Sequence, residues 1–322
     1  MFKSRIFRCA LVAAIAIAGN STAAFSQNPG TDSLVGELSI FPGAKYVLRN
    51  VGKEINTKKL EYSPSVTADG LTLYFVSNGI STNGAQGGHD IFVTLKFDPK
   101  GLDFSPPVPL PPPINSRENE GVVSISPDGK MFFFTACNRK EGYGDCDIFQ
   151  CNSDGTNWGD ILIHAQLNSN VWDSQPAVAN DGKHLYFVSL FNQPGSTVGS
   201  VDIWFSKMKE DSTWNIPDNL GKPVNSTAEE DSPCLLHNDS LLIFASNRPG
   251  GYGGFDFYAS YRQPDGKWGE PVNLGPFINS KKDERFISAT ADGSVLYFSS
   301  ERTDVGNYGQ LDIFMLSRVD TP

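Results

Sequence analysis

The chain has 322 residues, a formal net charge of −10 and a sequence pI near 4.9. Phosphate contacts rely on Lys and Arg, so such an acidic chain is not expected to bind nucleic acid or an anionic membrane surface. No apolar run reaches the roughly 20 residues that a membrane-spanning helix requires.

The first 26 residues have the pattern of a secretory signal peptide. Basic residues within the first eight positions precede a short apolar run over residues 10–18. Ala24 and Ser26 are small residues at the −3 and −1 positions of a cleavage site after Ser26. Removal of this segment takes the net charge to about −13. We therefore expect an exported protein, periplasmic or secreted, in which disulfides can form.

Five copies of one unit follow a segment, residues 27–44, that we expect to be a loose leader. Each unit has a tight turn, an apolar strand, a polar loop and an Asp that opens another short strand. These aspartates lie 54 to 57 residues apart: Asp90, Asp147, Asp202, Asp256 and Asp312. A period near 56 residues that is built from strands alone is typical of β-propeller blades.

Each unit contains the signals of four strands, here called A to D. Strand A precedes the tight turn, which is Asp-Gly in four of the five copies. Strand B is apolar at successive positions, as in Leu71–Val76, which indicates burial on both faces. Strand C follows the Asp. Strand D contains Pro, as in Trp268-Gly-Glu-Pro271, and Pro suits the outer edge of a sheet.

The two ends of the repeat region complement each other. The fifth unit ends near Leu316 without a strand D, and residues 45–52 carry a strand D and its exit turn ahead of the first unit. The sequence therefore predicts an all-β propeller over residues 45–317. Five four-stranded blades would be closed by the N-terminal strand, which leaves no open sheet edge between the first and last blades. Residues 318–322 would be a short tail.

The repeat resembles a known family. Ser126-Pro-Asp-Gly-Lys130 before an apolar strand, with Ser-Asn-Arg and Gly-x-x-Asp-Ile patterns after it, is similar to the WD40-like β-propeller repeat of TolB-type periplasmic proteins. It looks especially like the versions in envelope proteins of Bacteroidetes, which are often fused to an OmpA-like peptidoglycan-binding domain. The resemblance covers residues 45–317 and implies a propeller in the cell envelope. No fused domain is expected before Pro322, so peptidoglycan anchoring is not carried over.

One acidic residue recurs at the start of every strand A. These acids are Glu61, Glu120, Asp173, Glu230 and Glu284. They could form a ring of carboxylates at the channel mouth that binds a cation such as Ca²⁺. Alternatively, each could join the loop Arg and the strand C Asp in a network within its blade, since charges near buried sheet ends need partners. We favour the network, because a feature of every blade is what the architecture requires.

Arg and Tyr residues occur together in only three of the polar loops. Blades two, four and five contain Arg139 with Tyr143, Arg248 with Tyr252, and Arg302 with Tyr308. The first and third blades have Asn78-Gly79 and Leu190-Phe191 in place of the Arg motif. One interpretation is that each Tyr stacks on the Arg of its blade. The other is that the three rings form a platform for sugar rings or a peptide.

Cys137 ends one predicted strand and Cys146 begins the next. The two could face each other across a hairpin and form a disulfide, or remain free, and the sequence alone leaves both alternatives open.

The expected function is that of a non-enzymatic binding or scaffold propeller, monomeric or part of a larger complex. Its partner would be an envelope protein or a glycan, held on the face that bears the loops between strands B and C. The alternative is a carbohydrate-active enzyme or lectin that uses the channel mouth, since glycosidases need two carboxylates about 5–10 Å apart. No acid stands apart from the repeat, and no Ser-His-Asp or metal-ligand spacing is present, so we assign neither catalytic residues nor a resident cofactor.

Overall fold

A computed structural model of the protein describes residues 26–27, 33–79, 88–153, 158–192, 194–195 and 197–319. The predicted signal peptide up to residue 25 and the tail residues 320–322 lie outside these ranges. The described residues form strands joined by turns and contain no helix. Within them, no helix is long and apolar enough to cross a membrane.

The described strands form five antiparallel sheets, four of which have four strands and one of which has six. The blades consist of β4–β7, β8–β11, β12–β15, β16–β19, and β20–β22 with β3, to which β2 and β1 add. In chain order the strands are β1 Ser26–Gln27, β2 Ser33–Glu37, β3 Lys45–Asn50, β4 Glu61–Val66, β5 Thr72–Ser77, β6 Asp90–Leu95, β7 Val108–Pro109, β8 Asn119–Ile125, β9 Met131–Cys137, β10 Cys146–Ser153, β11 Trp158–Ile163, β12 Asp173–Val178, β13 His184–Ser189, β14 Asp202–Lys207, β15 Asp218–Asn219, β16 Glu230–Leu236, β17 Leu241–Ser246, β18 Asp256–Tyr261, β19 Val272–Asn273, β20 Glu284–Ala289, β21 Val295–Ser300 and β22 Asp312–Arg318.

The first strands of the five blades surround one axis. Each of β4, β8, β12, β16 and β20 contacts the equivalent strand of the two neighbouring blades. The hydrophobic core is divided into five clusters, one between each pair of adjoining blades. Strand B residues such as Phe132 and Phe133 pack into clusters on opposite sides of one sheet. Burial of both faces explains the unbroken apolar pattern of these strands, and the predicted five-bladed propeller is confirmed.

The N-terminal strand closes the ring as predicted. β3 pairs antiparallel with β22, with Leu48 opposite Leu316 and Asn50 opposite Phe314. The last blade therefore combines three strands from the end of the chain with one from its beginning.

The segment expected to be a loose leader is ordered over residues 33–44. β2 pairs with β3 and extends the last blade beyond its fourth strand. Leu34, Leu38, Ile40 and Phe41 are buried in the cluster between the fourth and fifth blades. The expectation was wrong for this stretch because these side chains follow no repeat motif but still bury apolar surface, which stabilises the segment.

Three of the five fourth strands are very short. β7, β15 and β19 have two residues each. Pro107, Pro217 and Pro271 directly precede them, and a Pro cannot donate a ladder hydrogen bond. The fourth strands of blades two and five, β11 and β3, lack this Pro and have six residues each.

Candidate functional site

The acid that starts each strand A is buried in every blade, with an exposed fraction of 0% or 1%. Each carboxylate accepts hydrogen bonds from the backbone N–H and the hydroxyl of the Ser or Thr four residues earlier. For Glu284, Ser280 donates from N at 2.8 Å and from Oγ at 2.6 Å. The same pairs are Thr57 with Glu61, Ser116 with Glu120, Ser169 with Asp173, and Ser226 with Glu230.

An Asn directly before each of these Ser or Thr residues ties the connection to the preceding blade. Asn279 accepts a hydrogen bond from Phe257 N at 2.8 Å and donates one to Phe257 O at 3.1 Å. The equivalent pair of bonds to strand C of the preceding blade is made by Asn56, Asn115, Asn168 and Asn225. The acid and this Asn therefore fix the joint between consecutive blades.

The loop arginines of the second and fourth blades complete this joint. Arg248 Nη2 lies 3.0 Å from Glu230 Oε1 and donates to Val224 O at 2.6 Å. Its guanidinium carbon lies 5.2 Å and 4.9 Å from the ring centroids of Phe244 and Tyr258.

Arg139 makes the same contacts in blade two. It pairs with Glu120 at 2.8 Å, donates to Ile114 O, and lies 5.3 Å from the rings of both Phe134 and Phe149. The predicted Glu–Arg contact is therefore present in these two blades.

Arg302 departs from this pattern in blade five. It donates to Ile278 O at 2.8 Å, as expected for its position, but its Nε and Nη2 groups pair with Asp304 at 2.8 Å and 2.9 Å. The strand C aspartates also differ from the prediction, since they hold the loop backbone. Asp256, for example, accepts from Tyr252 N and Gly253 N at 2.5 Å and 3.0 Å.

The loop tyrosines Tyr143, Tyr252 and Tyr308 are 52%, 50% and 48% exposed. The rings that lie beneath the guanidinium groups are those of strands B and C. The stacking that was predicted for the loop tyrosines is thus made by strand residues, and three half-exposed rings remain on the face that bears the loops between strands B and C.

Burial sets the electrostatics of the acids. Desolvation raises the pKa of Glu284 to about 7, against opposing hydrogen bonds from Ser280 and the nearby Arg302. Desolvation also raises the pKa of Glu61 and of Asp173. In the described ranges no group of three or more His, Cys, Asp or Glu side chains is arranged to hold a metal ion.

A cavity of about 520 Å³ lies at the channel mouth next to these acids. The residue that directly follows each acid lines it, and this position holds a different residue type in every blade. These residues are Tyr62, Gly121, Ser174, Asp231 and Arg285. The repeat motifs do not single them out. A signal is nevertheless present when the five repeats are aligned. The position after the acid differs in every repeat, whereas the acid itself is always Glu or Asp.

The second residue after each acid adopts a left-handed backbone conformation. The φ angles are +53° at Ser63, +20° at Val122, +54° at Gln175, +54° at Ser232 and +57° at Phe286. Strand pairing shifts register at the same point in every blade, as a β-bulge does. Such a conformation costs a non-glycine residue on the order of 1 kcal/mol. All five bulges line the narrow part of the channel below the mouth.

Charged and aromatic groups meet on one side of the mouth. Arg285 Nη2 lies 3.1 Å from Asp231 Oδ2, and its guanidinium carbon lies 3.6 Å from the ring centroid of Phe255. Arg285 Nε is buried and has no hydrogen-bond partner among the described residues. Burial raises the pKa of Asp231, with Arg285 opposing the shift. Nearby, the rings of Tyr62 and Phe286 have centroids 5.4 Å apart.

Cys137 and Cys146 form a disulfide, so the bonded alternative is the one found. They lie directly opposite each other in the pairing of β9 with β10, with Cα atoms 3.9 Å apart. Cys137 also lines the mouth cavity. The disulfide therefore ties together the base of one loop at the rim of the mouth.

Comparison with solved structures finds proteins of similar fold at low sequence identity. A thermostable family-43 glycoside hydrolase superposes with a TM-score of 0.53 at 14% identity, over 83% of this chain and 92% of that one. An α-L-arabinofuranosidase from Lactobacillus brevis gives 0.53 at 16% identity, over 81% and 91%. A putative TolB from Agrobacterium tumefaciens gives 0.49 at 15% identity, over 89% and 100%. No protein-family model and no curated protein sequence matches the chain.

Proposed function

We propose that the protein is an exported, non-enzymatic binding or scaffold propeller that holds an envelope protein or a glycan at its channel mouth. The observation that carries this proposal is the mouth lining. Five structurally equivalent positions hold five different residue types, while the acids beside them hardly vary. Architecture requires the constant positions, so the variable positions are free to form one asymmetric site.

The composition of the mouth suits binding. Ligand cavities combine aromatic walls with a few polar groups that fix orientation, and aromatic residues and Arg contribute strongly at interfaces. The mouth offers Tyr62, Trp172 and Phe286 together with Arg285 and Asp231. Arg285 Nε is buried without a hydrogen-bond partner among the described residues, so a ligand acceptor that reached it would satisfy a donor whose burial is otherwise costly.

The cellular setting of the proposal comes from the sequence. The signal-peptide pattern of the first 26 residues supports export, and the Ser126–Lys130 motif supports a WD40-like repeat of TolB type. Export and the TolB-type repeat are therefore parts of this proposal.

The alternative function is a carbohydrate-active enzyme or lectin. One of the proteins that share the fold is described as a glycoside hydrolase and another as an α-L-arabinofuranosidase, but at such low identity this likeness concerns the fold alone. The carboxyl group that favours the alternative is Asp231, which is buried in the mouth. Its contact with Arg285 and its hydrogen bond from Ser232 Oγ at 2.7 Å give it a structural role as well.

Affinity capture from an envelope extract tests the proposal. The baits are the protein without residues 1–26, here called the mature protein, and its Arg285→Ala and Lys267→Ala variants. Lys267 is exposed and belongs to the turn between strands C and D, so its variant controls for the loss of one positive charge. We expect a protein or glycan that the mature protein and Lys267→Ala retain and Arg285→Ala loses. Equal retention by all three baits contradicts a site at the mouth. Glycan hydrolysis that Asp231→Asn abolishes overturns the non-enzymatic assignment in favour of the alternative.

A further inference from the structure

The loop arginines of the second and fourth blades occupy a defined space, here called the arginine slot. In blade four its walls are the rings of Phe244 and Tyr258, its floor is the carboxylate of Glu230, and Val224 O accepts a further hydrogen bond. The side chain of Arg248 is 16% exposed in this slot, and that of Arg139 is 8% exposed in the slot of blade two.

Blade three has the walls of the slot but no arginine. Phe187 and Trp204 stand at the positions of Phe244 and Tyr258, and Asp173 stands at that of Glu230. These three residues, with Leu167 at the position of Val224, line a cavity of about 380 Å³. The chain thus contains a slot whose usual occupant is replaced.

The residue at the arginine position, Phe191, does not fill this space. Its side chain lines the cavity, is 39% exposed, and has its ring centroid 5.8 Å from that of Trp204. The floor is also deeper than in the other blades, because Asp173 is one methylene shorter than the Glu found there. Both differences leave room for a group supplied from outside the chain.

The charge of the slot is unbalanced. Asp173 is 1% exposed and accepts hydrogen bonds from Ser169 N and Oγ at 2.5 Å and 2.7 Å. Within the described residues no Lys or Arg pairs with it, whereas Glu120 and Glu230 each pair with an arginine. The pKa of Asp173 is raised by desolvation, and a bound cation would oppose that rise.

We propose that the slot of blade three binds the guanidinium group of an arginine side chain presented by a partner polypeptide. A planar guanidinium stacks on aromatic faces and hydrogen-bonds a carboxylate at the same time, which a compact ammonium group does less well. In blades two and four, the same arrangement of aromatic rings and a carboxylate already holds a guanidinium group.

The surroundings of the slot fit a polypeptide rather than a free small cation. Ile216, which is 81% exposed, and Pro217 form an apolar rim for neighbouring side chains. Trp204 Nε1 is buried without a partner among the described residues, so a peptide carbonyl that reached it would satisfy this donor. The slot also adjoins the channel mouth, since Trp172 and Leu190 line the mouth while the next residues, Asp173 and Phe191, line the slot.

Titration calorimetry of the mature protein with acetyl-Gly-Arg-Gly-amide tests the inference. The matched probes are the same peptide with citrulline, which is neutral and of the same shape, and with Lys. We expect the Arg peptide to bind at least tenfold more tightly than the citrulline peptide, and more tightly than the Lys peptide.

The decisive variant is Phe191→Arg, which should supply the missing arginine. It should abolish peptide binding and raise the melting temperature, because the slot is then filled as in blades two and four. Phe97→Arg is the control, since it adds the same charge at a side chain that is 94% exposed at the far end of blade one. Asp173→Asn should weaken binding of the Arg peptide but not of the citrulline peptide.

Equal affinity for the Arg and citrulline peptides overturns the inference, and so does unchanged binding by Phe191→Arg. The Phe191→Arg variant tests the inference even if Asp173→Asn does not fold. The proposal for the channel mouth is independent of this result, because its test depends on Arg285 and on envelope components.

Discussion

Asn50 Nδ2 donates a hydrogen bond of 2.8 Å to Asp312 Oδ2, across 262 positions of the chain. The same bond joins Asn219 to Asp202 at 2.8 Å and Asn273 to Asp256 at 2.9 Å, within continuous blades. Asn50 Oδ1 also accepts from Gly52 N and Asn56 Nδ2, each at 2.8 Å. The closing strand therefore reproduces the hydrogen bonds of a blade that has no chain break.

Replacement of Asn50 by Ala should destabilise the protein by about 1–3 kcal/mol, because the buried Asp312 loses a donor that water cannot replace. Urea unfolding of the protein without residues 1–26 measures the change. Asn273→Ala, at the equivalent position of blade four, should cost a similar amount, and the exposed Asn215→Ala should cost little. A loss confined to Asn273→Ala would show that closure does not depend on this network.

Much of the architecture could be predicted from the sequence because it repeats. Asn50-Val-Gly52 has the same form as Asn219-Leu-Gly221 and Asn273-Leu-Gly275, and this likeness identified the closing strand. The burial of the acids also follows from their presence in every unit. Features that occur once carry no such signal, and the ordered stretch from Leu34 to Phe41 was missed for that reason.

The candidate sites were harder to predict because they depend on contacts between blades and on unfilled space. The residues after the acids approach one another only when five blades meet around one axis. Arg302 has the same motif as Arg248, yet its partner Asp304 lies in a loop without a counterpart in blade four. The exchange of Arg for Phe191 is visible in the sequence, but only the fold shows that the slot remains open.

Stability should depend on pH through Glu284. The pKa of this carboxyl group is about 7 in the folded protein, against an ordinary value of 4.5. Between pH 4.5 and pH 7 the folded state therefore binds more protons than the unfolded state. The free energy of unfolding contributed by this group is therefore largest below pH 4.5 and falls as pH rises towards 7. The shift corresponds to roughly 3 kcal/mol.

Unfolding at pH 5 and pH 8 measures this dependence, with Glu284→Gln as the test variant. Gln is neutral, accepts from Ser280 N and can donate to the hydroxyls of Ser280 and Ser300, since a hydroxyl also accepts. The loss of stability between the two pH values should be smaller in this variant than in the unchanged protein. Glu270→Gln, at an exposed site, should leave the loss unchanged. Equal losses in all three proteins would rule out a raised pKa at Glu284.

Removal of a slot arginine should be costly. Arg248→Ala leaves Glu230 fully buried without its cation, and the breaking of such a pair typically costs about 3–5 kcal/mol. Lys282→Ala breaks an exposed pair with Glu301 at 3.6 Å and should cost at most about 1 kcal/mol. Chemical unfolding compares the two variants. If Arg248→Ala costs no more than Lys282→Ala, the filled slot contributes no stability, and Phe191→Arg should then fail to stabilise blade three.

Deletion of residues 27–52 should remove much of the stability of the propeller. It exposes the backbone edge of β22 and takes Leu34, Tyr46 and Leu48 out of the cluster between the fourth and fifth blades. Each such side chain contributes about 1.5–3 kcal/mol when buried, so the loss approaches the 5–15 kcal/mol by which whole domains are stable.

Thermal unfolding of the truncated protein measures the effect, and deletion of residues 27–32 alone is the control that keeps β2 and β3. A synthetic peptide of residues 33–52 should restore part of the melting temperature when it is added to the truncated protein, because β22 again has a partner strand. An unchanged melting temperature after the full deletion would contradict closure by β3. No recovery with the peptide, despite a large loss, would indicate that the truncated protein does not keep a blade to which β3 can bind.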